Sequence, residues 1–410
     1  MAALSHILRD GAFLDRARIR LWTIAILIGF ALAIAYLFAT AHGVNDYDGR
    51  PLGTDFSDVY AAGTLANDGH AERAFDPAQH FAREKALFGN DTQFYGWHYP
   101  PFFLLVAAPL AHLPYLPALI VWQLASLAFY LLALRLLLRD VSDKTWLLVA
   151  LAFPATFVNL THGHNGFLTA GLIATALALL DKRPPIAGLC FGLLAYKPQF
   201  GVMIPLVLAV TGRWRSFAAA AATVAALALA VTALFGEAVW PAFLAGTHFT
   251  RTVVLEQGNT GFHKIQTVFA WARMWGASVP LAYIAQAFAS LGVAAALTLL
   301  WRSRASTAVK GASLCLGMLL STPYALDYDM MALAPAIAML AAEGLREGFR
   351  PYERVMLLAL WAVPILARGF AEITHIPLGV PVMAAAFVAL FATLARGGST
   401  AIVRRTEIPA

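Results

Sequence analysis

The chain has 410 residues, 60% of them apolar and 13% charged, whereas a soluble domain carries about 25% charged residues. Mean hydropathy of +0.69 and the lack of a long hydrophilic stretch exclude a separate soluble domain, so residues 1–410 read as one membrane domain. The net charge of +6 does not signal nucleic acid, because the basic residues fall in small groups between apolar runs, a positive-inside pattern. The two cysteines, Cys190 and Cys315, lie inside apolar runs, which argues against a disulfide framework or a thiolate metal site.

The first apolar run, 21–41, follows Arg16, Arg18 and Arg20. It is too long for a signal-peptide core and has no cleavage site after it, so it reads as a retained first helix with its N-terminus inside. Further candidate crossings lie at 100–138, 145–160, 166–181, 185–196, 200–211, 216–235, 280–300, 309–322, 329–342, 353–369 and 379–396. Alternating them places every basic group on one side. These groups are Arg135, Arg139 and Lys144; Lys182 and Arg183; Arg213 and Arg215; Arg302, Arg304 and Lys310; Arg346, Arg350 and Arg354; and Arg396, Arg404 and Arg405. The expectation is an all-α polytopic protein of the inner (plasma) membrane with about 12 transmembrane helices and both termini cytoplasmic.

The opposite side differs in charge. Loop 42–98 holds nine acidic residues against four basic ones. Its amphipathic segments 58–67 and 77–88 suit short helices along the interface. A second extracytoplasmic loop spans 236–280, with a candidate interfacial or re-entrant helix at 265–275.

Several crossings are too short. Segment 185–196 makes about 18 Å of helix against roughly 30 Å of hydrocarbon. Basic residues flank both ends of 185–212, so a hairpin with Lys197-Pro198-Gln199 at its tip keeps the charges on one side. Backbone broken at that depth is tolerated only where it lines a protein-walled cavity. The same holds for 161–165 and 323–329, so three polar tips point into one extracytoplasmic recess.

Within Thr54-Asp55-Phe56-Ser57-Asp58-Val59-Tyr60-Ala61-Ala62-Gly63, two carboxylates three apart share a helix face. Asp55 or Ser57 suits a helix cap first; Asp55 also suits a general base. Lys197 reads either as a snorkelling lysine or as an intramembrane cation that needs a partner, for which a lipid-borne phosphate is a good match. Arg251, His263 and Lys264 are cations in the second loop that extend an anion site or are solvated loop charges. His162, His164 and Asn165 suit hydrogen bonding to a sugar or phosphate, or helix capping, better than metal binding. Tyr324, Asp327 and Asp329 occupy the third tip, where either aspartate suits a helix cap or a polar substrate, and Asp329 suits the cap better. Tyr95, Trp97, His98 and Tyr99 form an aromatic approach to the second membrane region, either an interfacial belt or a sugar-stacking surface.

In that order, DFSDVYAAG, HYPPFFLLVAAPLAHLP, GHNG, AGLCFGLLAYKPQFGVMIPL, GRWR and STPYALDYDMMALAPA resemble glycosyltransferase family 87, membrane enzymes similar to polyprenyl-phosphomannose-dependent α-mannosyltransferases. The resemblance implies a GT-C-type fold and a polyprenyl-phosphate sugar as donor. It also places the catalytic aspartate at Asp55 and the family's Lys-Pro-Gln element at Lys197, Pro198 and Gln199. Where many relatives read Gly-Gln-Asn, this chain has Gly163-His164-Asn165. The expected activity is inverting transfer of mannose or another hexose or pentose to a lipid or glycan acceptor of the cell envelope. Asp55 acts as base and Lys197 meets the phosphate. Asp58, Tyr60, His98, Tyr99, His164, Asn165, Gln199, Arg251, His263, Lys264, Tyr324 and Asp327 contact substrate. No cofactor or metal is expected; the partners are the lipid donor, the acceptor and membrane lipid. A carrier or flippase for a lipid-linked or anionic solute is the rival reading, and it predicts paired internal repeats. A structural envelope subunit leaves the polar tips unexplained.

Overall fold

The computed structural model describes residues 7–403, with side chains to residue 393. The described residues contain helices and no strands. Among the described residues, six helices are long and apolar enough to cross a membrane: Arg16–Ala39, Tyr115–Leu137, Trp214–Phe235, Val279–Arg302, Asp327–Glu347 and Glu353–Thr374. A seventh forms if Thr145–Leu151 and Pro154–His162, bent by 49°, count as one span; Pro154 sits at the break because it cannot donate to the preceding turn. The expected twelve crossings do not appear as full-length spans. The remaining apolar helices, including Gly166–Leu179, Pro184–Tyr196, Pro198–Val210 and Thr307–Leu320, run 10–17 residues. The region 100–138 divides into a short helix, Leu104–Leu110, and the crossing Tyr115–Leu137.

Exposure separates two kinds of helix. Arg16–Ala39 and Trp214–Phe235 turn apolar side chains such as Leu32, Leu229 and Leu234 outward, a surface that only lipid tolerates. Gly166–Leu179 and Thr307–Leu320 are buried almost throughout. Each has 14 residues, about 21 Å at 1.5 Å per residue, so the buried centre is shorter than its surroundings, as the expected recess requires.

The hairpin 184–210 rises to Lys197 and returns, as expected. It leans on Trp214–Phe235 through a small-residue seam. A Cβ on Gly188 would lie 2.3 Å from the Ser216 carbonyl oxygen, and one on Gly192 would lie 2.7 Å from that of Ala220. Only glycine permits this approach, and packing of this kind holds helices together in lipid.

Two loops cover the recess. Loop 42–98 carries Thr54–Asn67 and Pro77–Phe88. The first of these helices packs on Leu104–Leu110, where Tyr60 Oη donates to the Leu113 carbonyl at 2.9 Å and Asn67 Nδ2 to that of Ala108 at 3.0 Å. Loop 236–280 docks on the third tip, with Gln266 N donating to the Ala325 carbonyl at 2.8 Å and Thr267 Oγ1 to that of Pro323 at 3.0 Å. Its short helix is Val268–Met274. At the other end, Arg16 and Arg20 each lie 2.9 Å from Asp143, so two sequence-distant charged segments share one face. Arg404 and Arg405 lie outside the described residues, as does the side chain of Arg396. Cys190 and Cys315 are buried and unpaired.

Candidate active site

The helix Thr54–Asn67 begins at Gly53, whose φ of 70° replaces a side-chain cap. Neither Asp55 nor Ser57 caps it; Ser57 Oγ instead donates to the Thr54 carbonyl at 2.7 Å. Gly53 abuts the second tip, where Gly163 also has a positive φ of 65°. A Cβ on Gly163 would lie 2.6 Å from Phe56 Cβ and 3.3 Å from Gly53 Cα. Thr54 Oγ1 lies 2.7 Å from His162 Nδ1, and Trp122 Nε1 donates to the Gly163 carbonyl at 3.0 Å. These contacts seat the first turn of the helix, and with it Asp55, over the tips.

Lys197 is 3% exposed and lies between a 3-10 turn and Pro198, in neither helix. Its Nζ is 2.6 Å from Asp329 Oδ1 and 3.4 Å from His164 Nε2. Asp329 Oδ2 accepts from Leu326 N at 2.9 Å, so this carboxylate caps its helix and neutralises the lysine at once. Lys197, expected to meet a phosphate, has a carboxylate partner supplied by the third tip. His164 Nδ1 lies 3.1 Å from Asn159 Oδ1. With an ammonium at Nε2, that nitrogen is the acceptor and Nδ1 carries the proton. Asn159 Nδ2 donates to the Tyr328 carbonyl at 3.1 Å, and the Tyr328 and His164 rings lie 3.7 Å apart.

Asp55 faces this network. Its Oδ2 is shut from solvent and has no hydrogen-bond partner. Burial and the neighbouring Asp327 push its carboxyl up to about 7, with Lys197 opposing, Asp329 adding and Lys264 opposing. Asp58, one turn on, is buried with Oδ1 unpartnered; burial, Asp55 and Glu84 hold it well above the usual carboxylate range. Asp327 Oδ2 is 2.8 Å from Arg368 Nε. Lys264 is half-buried in loop 236–280, and its ammonium has no ion-pair or hydrogen-bond partner among the described residues. Burial and Arg368 lower its pKa, while Asp327 and Asp55 raise it. His263, beside it, is lowered by burial and senses Glu372, Lys264, Arg368 and Asp327.

The other expected contacts divide. Tyr99 and Tyr324 both feel the charges of Asp55, Asp58 and Asp329 and belong to the recess. Asn165 is 2% exposed, caps nothing, and leaves both amide atoms unpartnered, which is costly unless a ligand or water supplies bonds. Gln199 is half-buried and makes no side-chain hydrogen bond. Tyr60 spends its hydroxyl on Leu113. His98 turns away, its Nδ1 2.9 Å from Thr250 Oγ1; burial and nearby His80 lower it to about 4. Arg251 is exposed and lies 3.5 Å from Glu256. Sequence reasoning missed Asn159, Tyr328 and Arg368 and did not place Asp329 in the site. The signal for two of them was present: Asn159 and Arg368 are polar residues inside otherwise apolar crossings. The described residues hold no group of three His, Cys, Asp or Glu placed to bind a metal ion.

Comparisons with curated proteins and with solved structures returned no match. The profile of glycosyltransferase family 87 matches residues 97–323, more than half of the chain. That span runs from the aromatic approach through the GHNG and Lys-Pro-Gln tips to the start of the third. The chain belongs to glycosyltransferase family 87, a family of membrane glycosyltransferases.

Proposed function

We propose that the protein transfers a sugar, mannose or another hexose or pentose, from a polyprenyl-phosphate donor to a lipid or glycan acceptor. Transfer is on the extracytoplasmic side, with inversion. The observation that carries this reading is the unpartnered Asp55 Oδ2 in a recess whose other charges are the Lys197–Asp329 pair, the Asp327–Arg368 pair and the unpaired Lys264.

The acceptor hydroxyl gives its proton to Asp55 as its oxygen attacks the anomeric carbon. The bond from that carbon to the phosphate oxygen breaks, and its electron pair leaves with the polyprenyl phosphate. That leaving group is already a stable anion, so one carboxylate base serves without a paired acid. Lys264 meets the phosphate, and fixed cations stabilise charge as it develops. Lys197 contributes by holding Asp329 and His164, and through them the tip carrying Asn165, whose free amide suits a sugar hydroxyl. The isoprenoid chain lies between helices.

The test is purified protein in liposomes with a synthetic polyprenyl-phosphate sugar and a short-chain glycolipid acceptor. A product whose anomeric configuration, read by NMR, is opposite to the donor's supports the reading. Retained configuration contradicts a single-base displacement. Movement of intact donor across the bilayer without transfer favours a carrier.

A further inference from the structure

A polar cavity also lies far from the candidate site. Its volume is about 240 Å³, and it is lined by Asp181, Arg213, Trp301, Thr307 and Lys310. The helix Gly166–Leu179 links the two places: it starts beside Asn165 and ends beside Asp181. Its 14 residues put the cavity about 21 Å from the tips, at the end of the bundle that collects the arginines and lysines. Nothing in the proposed transfer uses it.

The donors in this cavity exceed the acceptors. Arg213 Nη1 lies 2.5 Å from Asp181 Oδ1, which occupies one edge of the guanidinium. Arg213 Nε is shut from solvent without a partner, and the fork stands over the Trp301 ring at 6.0 Å. Lys310 Nζ gives one hydrogen bond, to the Ser303 carbonyl at 2.8 Å, and keeps two donors. Arg213 and Thr307 also stand at the N-termini of Trp214–Phe235 and Thr307–Leu320, so two helix dipoles present positive ends here. Two cations against one carboxylate, with spare N–H groups and two helix starts, suit a tetrahedral oxyanion. The cavity lies at the end of the bundle that collects the arginines and lysines, and basic pockets between helices at such ends hold anionic lipid headgroups.

We propose that this cavity binds a phosphate ester, either the headgroup of an anionic phospholipid or a soluble phosphate. The test uses the full chain purified in a zwitterionic detergent and followed by native mass spectrometry. Short-chain phosphatidylglycerol, short-chain phosphatidylcholine and inorganic phosphate are each added alone, and inorganic phosphate is then added to the phosphatidylglycerol-bound protein. The expected result is one retained phosphatidylglycerol that inorganic phosphate displaces, with phosphatidylcholine not retained. The Arg213→Gln/Lys310→Gln variant should hold it about tenfold less, the scale of losing charge-assisted bonds. Retention of inorganic phosphate equal to that of phosphatidylglycerol assigns the site to a soluble phosphate. Equal retention of phosphatidylcholine, or undiminished phosphatidylglycerol on the double variant, overturns the proposal. If the variant does not fold, headgroup selectivity and phosphate competition on the native protein decide.

Discussion

Asp55 pays for its position: a carboxyl shut from water beside Asp327 resists ionising, and a base must be ionised to accept a proton. Its pKa is raised to about 7, so kcat/KM should climb through neutral pH and level off above it. A profile already flat from pH 5 to 8 contradicts the assignment. Lys197 makes a different prediction. Lys197→Ala leaves Asp329 buried and unpaired, a loss of about 3–5 kcal/mol for a buried pair broken on one side. Replacing both partners, Lys197→Met with Asp329→Leu, should restore much of the thermal midpoint but not turnover. Equal midpoints for all three proteins would show that the pair carries no such energy. Asp55 and Lys197 were each singled out by their own motifs. The Lys197–Asp329 pair was not, because the partners are 132 positions apart and one sequence has no way to pair them.

Hairpins were easier to foresee than crossings. Basic residues at both ends of an apolar run force a reversal, and the structure turns at Lys197 and at Gly163 as that argument requires. The count of twelve crossings was not confirmed, because apolar composition does not separate a lipid-facing span from a short buried helix such as Thr307–Leu320. The loop helix begins at Thr54 rather than near 58, since a glycine with positive φ starts it where a polar cap was sought. That start decides where Asp55 sits. Gly163→Ala must place a methyl 2.6 Å from Phe56 Cβ at a φ of 65°, which pushes the helix off the tip. Misplacing a reacting group by about 1 Å costs on the order of a hundredfold in rate. The expected outcome is that loss in kcat with the protein still folded; a near-native kcat would show that the glycine contact does not position the base.

Across the whole molecule, the account needs the recess and the basic end to face opposite sides of the membrane. A single cysteine at Asp91, exposed in loop 42–98, should react with an impermeant maleimide added to intact cells, and one at exposed Lys182 should not. The buried Cys190 and Cys315 keep the background low. Labelling in the reverse pattern inverts the topology. The proposed transfer turns on one oxygen atom. Asp55→Asn keeps the side chain's size and removes the proposed base. It also removes a group whose folded-state pKa is raised, and whose contribution to stability is lost as pH rises through about 7. At pH 8 the variant should therefore melt no lower than the native protein. The deciding measurement is sugar transfer by purified native and Asp55→Asn proteins in liposomes, with donor binding measured alongside. The account predicts no transfer by the variant and unimpaired donor binding; transfer near the native rate would contradict it.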